Sequence, residues 1–217
     1  MINDDLPSRI PISAIILAAG QSRRMGRSKL LLPLGGRSMI RTVALQALQA
    51  DIAEAIFVLG NDALRIRAEL DDLPAETENA GAKIKFAYNE AFAAGLSGSV
   101  HKGLEAVDPQ SAGALMLMGD QPFVSPDIIN SLLQAFREQK PALVVPLYRQ
   151  GPASPVLFSR DLFPALRAVR GDKGGRDIVR QYLQDERERV ATVPVASVAA
   201  GMDIDTIDDY RKAPDPL

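Results

Sequence analysis

The chain has 217 residues, of which 47% are hydrophobic and 24% are charged, and its formal net charge is −2. This length and balance suit one globular α/β domain, and the absence of a basic excess argues against broad binding of nucleic acid or of a membrane surface. The chain contains no cysteine, which excludes disulfides, thiolate metal sites and a cysteine nucleophile. Its polar, acidic start and the lack of an apolar run of about 18 residues favour a soluble, cytoplasmic protein.

The first predicted strand begins at Ile12, after an N-terminal tail of residues 1–11. It is a short run of Ile and Leu that small residues end at Gly20, which predicts a buried central strand rather than a helix. The loop that follows carries four cations, Arg23, Arg24, Arg27 and Lys29. A buried strand that feeds a cationic loop of small residues is how α/β folds present N–H groups and positive charge to phosphates. The loop matches neither the GxxxxGK(S/T) nor the GxGxxG fingerprint, and a solvated basic turn is the alternative.

The rest of the chain alternates predicted strands and helices. Further strands are predicted at residues 55–60, 83–88, 114–119, 142–148 and 189–195. Helices are predicted between them, and a short segment around residues 156–158 is interpreted as an antiparallel excursion. Residues 71–82 read as an acidic loop. The pattern predicts a single Rossmann-like α/β domain of three layers, with a mostly parallel sheet and helices on both faces.

A second informative stretch is Gly95-Leu96-Ser97-Gly98-Ser99, which precedes a helix predicted at residues 100–107. Ser97 or Ser99 would cap this helix and leave free N–H groups at its positive end facing a ligand. An ordinary capped helix start explains the pattern equally well. The only histidine, His101, has no evident partner and is interpreted as a surface or packing residue rather than a general base.

Acidic residues follow two predicted strands. Asp120 lies in Gly119-Asp120-Gln121-Pro122, at the carboxyl tip of a central strand, where it would face the same crevice as the basic loop. A divalent cation that bridges triphosphate oxygens needs one or two carboxylates there. Near the C-terminus, Asp203 and Asp205 alternate on an extended segment, so that only one is expected to face the crevice. Each acid also has a purely structural alternative. Asp120 could cap the turn that follows it, and Asp205 could cap the closing helix.

A third stretch is Arg170-Gly171-Asp172-Lys173-Gly174-Gly175-Arg176. It brings cations and glycines to the start of a predicted helix, an arrangement that suits an anion. A flexible charged surface loop explains this pattern about as well.

One stretch carries a family resemblance. Leu17-Ala18-Ala19-Gly20-x-Ser22-x-Arg24-Met25-Gly26-x-x-Lys29 resembles the signature of nucleotidyltransferases that condense a nucleoside triphosphate with a phosphorylated acceptor. Within that group the chain most resembles the molybdenum cofactor cytidylyltransferases, which also share the Gly-Asp-Gln-Pro form. Related guanylyltransferases carry a second glycine at the position of Ala19, in a region linked to the choice of CTP over GTP.

The resemblance, which covers most of the chain, implies transfer of CMP from CTP to molybdopterin carrying molybdenum, with Mg²⁺ as cofactor. It implies catalytic roles for Arg24, Lys29 and Asp120, and metal binding by Asp120 and Asp205. Nucleotide contacts are implied for Leu17, Ala18, Ala19, Gly20, Ser22, Gly26, Gly95, Leu96, Ser97 and Ser99. Acceptor contacts are implied for Arg170, Asp172, Lys173 and Arg176. Residues from about 12 to 125 would form the nucleotide half and residues from about 140 to 205 the acceptor half.

The sequence departs from the family pattern near residues 151–155. Members of the family usually show a glycine together with a histidine or an asparagine there, whereas this chain has Gly-Pro-Ala-Ser at residues 151–154. Three alternatives therefore stay open. The first is a guanylyltransferase or a sugar- or alditol-phosphate nucleotidyltransferase with the same triphosphate site. The second is a nucleotide-binding chaperone or regulator without turnover, and the third is a dinucleotide-dependent oxidoreductase. The resemblance also implies a molybdoenzyme of the xanthine dehydrogenase type as a partner that receives the cofactor.

Overall fold

The computed structural model describes residues 10–73 and 81–214. Most of the predicted N-terminal tail and of the predicted acidic loop lies outside the described residues. The strands are β1 (Ile12–Ala18), β2 (Pro33–Leu34), β3 (Arg37–Ser38), β4 (Glu54–Leu59), β5 (Lys83–Tyr88), β6 (Gly113–Met118), β7 (Leu143–Tyr148), β8 (Gly151–Pro152), β9 (Val156–Ser159) and β10 (Val190–Pro194). The helices are α1 (Met39–Leu48), α2 (Ala63–Ala68), α3 (Leu96–Ala106), α4 (Pro126–Gln139), α5 (Phe163–Ala168), α6 (Arg176–Asp185) and α7 (Ile207–Lys212). Within the described ranges, no helix combines the length and the apolar character needed to cross a bilayer.

The main sheet has the strand order β10-β7-β9-β6-β1-β4-β5, with β8 paired to β7. The strand β1 pairs in parallel with β4 and β6, and the pairs β4–β5 and β7–β10 are also parallel. By contrast, β9 runs antiparallel to both of its neighbours, β6 and β7. The predicted antiparallel segment therefore lies inside the sheet, and the predicted α/β fold with a mostly parallel sheet is confirmed.

Helices cover both faces of the central strand β1, every residue of which is buried. Ile12, Ala14 and Ile16 pack in one apolar cluster with residues of α1, α2 and α4. Ile15 and Leu17 point the other way and pack with residues of α3 and α5. This division follows from the two-residue repeat of a strand, and it produces the three predicted layers.

The helix α3 begins earlier than the sequence predicts. Gly95 occupies its N-cap position with a φ of 118°, a backbone conformation that favours glycine. The prediction that Ser97 or Ser99 caps this helix is therefore wrong, because both residues lie within its first turn and are buried. The hydroxyl of Ser99 instead accepts a hydrogen bond from Nδ2 of Asn89 at 3.0 Å.

Close packing of α3 on the sheet depends on Gly103. A Cβ added there would lie 2.5 Å from Cγ2 of Ile15 and 3.2 Å from Cγ2 of Val58, and both of these β-branched side chains are fully buried. Overpacking costs about 1–3 kcal/mol, which outweighs the gain of at most about 1 kcal/mol that alanine brings to a helix. We therefore expect Gly103→Ala to unfold at a lower urea concentration than the wild type.

The matched control for this prediction is Lys102→Ala, at an exposed position of the same helix. Its unfolding free energy should change by less than about 0.5 kcal/mol. If the urea midpoint of Gly103→Ala is unchanged or higher, the prediction is wrong, and Ile15 and Val58 can shift to accommodate the added methyl group.

Candidate active site

A cavity of about 400 Å³ lies at the carboxyl ends of β1 and β6. The loop after β1, the start of α3, the last residue of β6 and Asp120 contribute to its walls. The predicted residues in its lining are Leu17, Ala19, Gly20, Ser22, Arg24, Lys29, Gly95, Leu96, Ser99, Asp120, Asp172 and Asp205. Ala18, Gly26 and Ser97 lie outside this lining. Most of the predicted nucleotide contacts therefore surround one cavity.

A buried lysine joins two carboxylates in this cavity. The Nζ atom of Lys29 lies 2.5 Å from Oδ2 of Asp120 and 2.7 Å from Oδ1 of Asp205. The side chains of Lys29 and Asp120 are only 12% and 13% exposed. Burial alone would lower the pKa of Lys29, but the charges and hydrogen bonds of Asp120 and Asp205 raise it above its usual value. Lys29 is thus a fixed cation over the neutral pH range, not a proton acceptor.

The loop that carries these cations is closed by Ser22. This residue has a φ of 50°, and its hydroxyl accepts a hydrogen bond from the backbone N–H of Lys29 at 3.1 Å. Within the loop, Arg24 is 72% exposed and donates from Nη1 to Oδ2 of Asp205 at 3.1 Å. The site therefore combines one nearly buried cation held by two carboxylates with one exposed cation paired to a single carboxylate.

The C-terminal acidic segment is held beside β6 by the main chain. The backbone N–H of Ile204 donates to the carbonyl of Asp120 at 3.1 Å, which brings Asp205 to the cavity. The closing helix α7 is capped by Thr206, which forms a capping box with Asp209. Asp205 is therefore not the cap, and its carboxylate is available to the cations of the cavity.

A second cavity, of about 740 Å³, adjoins the first. Much of its wall is apolar and comes from the sheet, α3 and α6. These residues are Leu17, Leu96, Val100, Met116, Met118, Val156, Phe158, Val179 and Leu183. Asp120 and Asp205 line both cavities. Ligands in the two cavities would consequently approach each other at these two carboxylates.

Asp203 also faces the second cavity, together with Asp205. Of these two acids, only Asp205 also lines the first cavity, which holds the basic loop. Asp203 accepts a hydrogen bond from Nε2 of Gln121 at 2.6 Å. Its pKa is raised because the carboxylate is partly withdrawn from solvent and lies near the negative charge of Asp120. Three carboxylates thus share one edge of the site.

The loop at residues 170–176 is divided between the two cavities. Asp172 lines the first cavity, whereas Lys173 and Arg176 line the second. Arg170 lies outside both linings, and its guanidinium donates to backbone carbonyls at the end of α5 and just beyond it. The four residues predicted for the acceptor therefore occupy three different places.

The same loop packs against the start of α3. A Cβ added to Gly95 would lie 2.7 Å from the carbonyl carbon of Gly171 and 2.9 Å from Oδ1 of Asp172. A Cβ added to Gly174 would lie 2.8 Å from Cδ2 of Leu96. Glycine allows this close approach, and the approach makes the two loops one continuous wall.

The sequence model of the MobA-like NTP transferase domain matches residues 14–190 of this chain. The chain belongs to this family. Its membership confirms the prediction of a nucleotidyltransferase.

Relatives of this MobA-like transferase carry names from more than one class of chemistry. Nicotine blue oxidoreductase of Paenarthrobacter nicotinovorans is 27% identical over 221 residues, which cover 97% of this chain and 99% of that protein. A probable molybdenum cofactor guanylyltransferase of Natranaerobius thermophilus is 26% identical over 136 residues, which cover 63% of this chain and 60% of that protein. The fold by itself therefore does not specify the reaction.

The MobA-like transferase also resembles solved structures over nearly its full length. Rv0371c from Mycobacterium tuberculosis H37Rv superposes with a TM-score of 0.75 at 29% identity, over 94% of this chain and 98% of that one. A complex of Rv0371C with manganese has a TM-score of 0.73 at 28% identity, with 94% and 97% coverage. These likenesses support the fold assignment.

Sequence reasoning missed several residues of the site in this MobA-like transferase. Phe92 lines the first cavity, and Gln121 and Arg180 line the second. Gln121 lies inside the quoted Gly-Asp-Gln-Pro motif, and Arg180 follows Arg176 by four residues on α6, so that both share one helix face. The motif and the helical spacing could therefore have identified these two residues from the sequence. No sequence pattern identifies Phe92 or the apolar wall of the second cavity as parts of the site.

Proposed function

We propose that this MobA-like transferase moves CMP from CTP, bound in the first cavity, to the phosphate of a molybdopterin-type acceptor bound in the second. The observation that carries the proposal is that Asp120 and Asp205 line both cavities. Group transfer requires the reacting atoms of two substrates to meet in one place, and the shared carboxylates mark that place. The nucleotide half would then be residues from about 12 to 125 and the acceptor half residues from about 140 to 205. The product would pass to a molybdoenzyme.

In the proposed reaction, an oxygen of the acceptor phosphate attacks the α-phosphorus of CTP. The bond from that phosphorus to the bridging oxygen breaks, and pyrophosphate leaves with the electron pair. The acceptor phosphate is already an anion at neutral pH, so the step needs no strong base. This agrees with the position of His101, the only histidine of the chain, outside the linings of both cavities.

Catalysis in this proposal comes from positioning and charge neutralisation. Lys29 and Arg24 would neutralise the triphosphate and the charge that develops on pyrophosphate. Lys29 suits this task because it is already held in place by Asp120 and Asp205. The backbone of residues 18–20 and the loop of residues 95–99 would hold the base and the ribose, and Lys173 and Arg176 would contact the acceptor.

The oxygen atoms of the site fit a divalent cation. Oδ1 of Asp120 is buried and accepts no hydrogen bond, and carboxylate oxygens are hard ligands suited to Mg²⁺. Among the described residues, no group of three or more Asp, Glu, His or Cys side chains is arranged to hold a metal. Asp120 and Asp205 would thus leave the remaining positions to phosphates and water, as is usual for Mg²⁺. A bound cation would polarise phosphoryl oxygens, and the manganese complex of the similar Rv0371C supports its presence.

A preference for CTP is supported by the surroundings of Ala19. This residue lines the first cavity and is 5% exposed. A Cβ added to Gly60 would lie 2.8 Å from the Cβ of Ala19, so the methyl group is tightly held. An alanine at this position leaves less room than the second glycine of the related guanylyltransferases would, which would favour the smaller pyrimidine over a purine.

The test is pyrophosphate release with Mg²⁺ and each of CTP, GTP, ATP and UTP, with and without molybdopterin. We expect release only when CTP and the pterin are both present. If CTP binds and the pterin produces no pyrophosphate, the acceptor is wrong, and sugar and alditol phosphates become the next substrates to test. If no nucleotide binds, the first cavity has another ligand and the proposal fails.

A second candidate function is that of a dinucleotide-dependent oxidoreductase. It is favoured by the full-length similarity to nicotine blue oxidoreductase and by the apolar wall of the second cavity. Oxidation of NADH or NADPH in the presence of a conjugated dye, without pyrophosphate release from any nucleotide, would support this candidate over nucleotidyl transfer. The missing GxGxxG fingerprint argues against it.

A further inference from the structure

The second cavity contains a polar pair that the transfer step does not use. Gln121 and Asp203 both line this cavity, and Nε2 of Gln121 donates to Oδ1 of Asp203 at 2.6 Å. Gln121 is 5% exposed. Its other amide atom, Oε1, is buried and accepts no hydrogen bond.

The orientation of this amide follows from its partner. An ionised carboxylate only accepts hydrogen bonds, so the nitrogen of Gln121 must face Asp203 and Oε1 must face away from it. A buried oxygen without a donor is costly, and native proteins rarely leave one unsatisfied. The cavity beside Gln121 is the space from which a ligand could supply that donor.

We propose that Gln121 and Asp203 recognise the acceptor by its N–H groups and select a fused heterocycle with two neighbouring N–H donors on one edge. The proposal rests on the acceptor function of the second cavity. Oε1 of Gln121 and the carboxylate of Asp203 are two acceptors on residues that line the same cavity, and the N–H groups of an amidine or a guanidine could donate to both. A sugar phosphate offers hydroxyl groups but no planar edge of this kind.

The charges and the apolar wall of the cavity give the acceptor one orientation. Lys173, Arg176 and Arg180 supply positive charge, and Asp203 supplies negative charge. An acceptor phosphate next to Asp203 would be repelled, so the N–H edge faces Asp203 instead. Apolar side chains, among them Phe158, would pack against the faces of a flat ring. The phosphate then lies toward Asp120 and Asp205, whose negative charge is offset by Lys29 and Arg24.

The proposal is tested by direct binding of two fluorescent probes, 6-hydroxymethylpterin and 6-hydroxymethyllumazine. The lumazine carries a carbonyl oxygen where the pterin carries its 2-amino group. We expect the wild type to bind the pterin at least about tenfold more tightly, the effect of one well-placed hydrogen bond to a charged or buried acceptor. Fluorescence titration without nucleotide measures this ratio independently of any transfer reaction.

Two variants and one control complete the test. Gln121→Met removes Oε1 at nearly constant volume, and Asp203→Asn introduces an amide that can itself satisfy Oε1. We expect both to reduce the pterin preference to below about threefold. Gln184→Met changes an exposed amide in the lining of the same cavity and should keep the preference. Because Asp203 is exposed, Asp203→Asn serves as the test if Gln121→Met fails to fold.

The outcomes separate this proposal from the function on which it rests. Equal binding of both probes, or of neither, would overturn the recognition role even if CTP and the natural acceptor still release pyrophosphate. A pterin preference that survives in both variants, or disappears equally in Gln184→Met, would also overturn it. If the pterin preference is lost only in Gln121→Met and Asp203→Asn, the recognition role is supported. If the wild type at the same time releases no pyrophosphate, nucleotidyl transfer is refuted although the recognition role stands.

Discussion

Replacing Lys29 by alanine is expected to lower turnover by about two to three orders of magnitude, the usual effect of losing a preorganised charge at a transition state. The ammonium is nearly buried and already contacts Asp120 and Asp205. It therefore needs no reorganisation when charge develops on the leaving pyrophosphate. Steady-state pyrophosphate release at saturating CTP, Mg²⁺ and molybdopterin measures this effect.

Two further variants separate charge from packing. Lys29→Met keeps most of the aliphatic stem without the charge and should be as slow as Lys29→Ala. Arg27→Ala removes an exposed cation of the same loop that does not line the first cavity, and it should retain activity within about threefold. A loss below tenfold in Lys29→Ala, or recovery in Lys29→Met, would refute the assigned role.

Replacing Asp120 by asparagine is also expected to lower turnover by about two to three orders of magnitude. The substitution preserves shape and leaves an oxygen for Lys29, but it removes the charge and one hard ligand from the buried end of the site. Oδ1 of Asp120 has no hydrogen-bond donor, so its loss should disturb cation binding more than folding. Activity assays and Mn²⁺ titration followed by electron paramagnetic resonance measure the two quantities separately.

The control is Asp161→Asn, which removes an exposed carboxylate. Asp161 lies two residues after Ser159, and Ser159 pairs with Gly113 at the amino end of β6. It should leave both turnover and Mn²⁺ affinity unchanged. Unchanged Mn²⁺ affinity in Asp120→Asn would move the cation to other ligands, and unchanged turnover would remove Asp120 from the reaction.

Much of the fold could be predicted from the sequence because its signals are local. Ile12 to Ala18 form a fully buried strand, and an apolar run bounded by small residues is enough to indicate this. Lys29 and Asp120 both follow strands that the pattern identifies. In a parallel sheet the carboxyl ends of such strands share one edge, so their proximity was predictable without any pairing information.

Other features could not be predicted, because they depend on contacts between distant segments. The insertion of β9 between β6 and β7 requires a pairing order that no single strand encodes. Arg170 and Arg176 looked equivalent in the sequence, yet Arg170 donates to nearby backbone carbonyls and Arg176 lines the second cavity. The position of Gly95 at the start of α3 was hidden because its φ of 118° and its close approach to Gly171 and Asp172 exist only in the folded chain.

Local patterns in the sequence were enough to establish the layered α/β architecture, the cationic loop and the acids at the sheet edge, because strand periodicity and short motifs act over a few residues. Contacts between distant segments place Asp120 and Asp205 where two cavities meet and direct the amide nitrogen of Gln121 to Asp203. These arrangements arise from the order of the strands and from hydrogen bonds across 82 residues of chain, which no local pattern specifies.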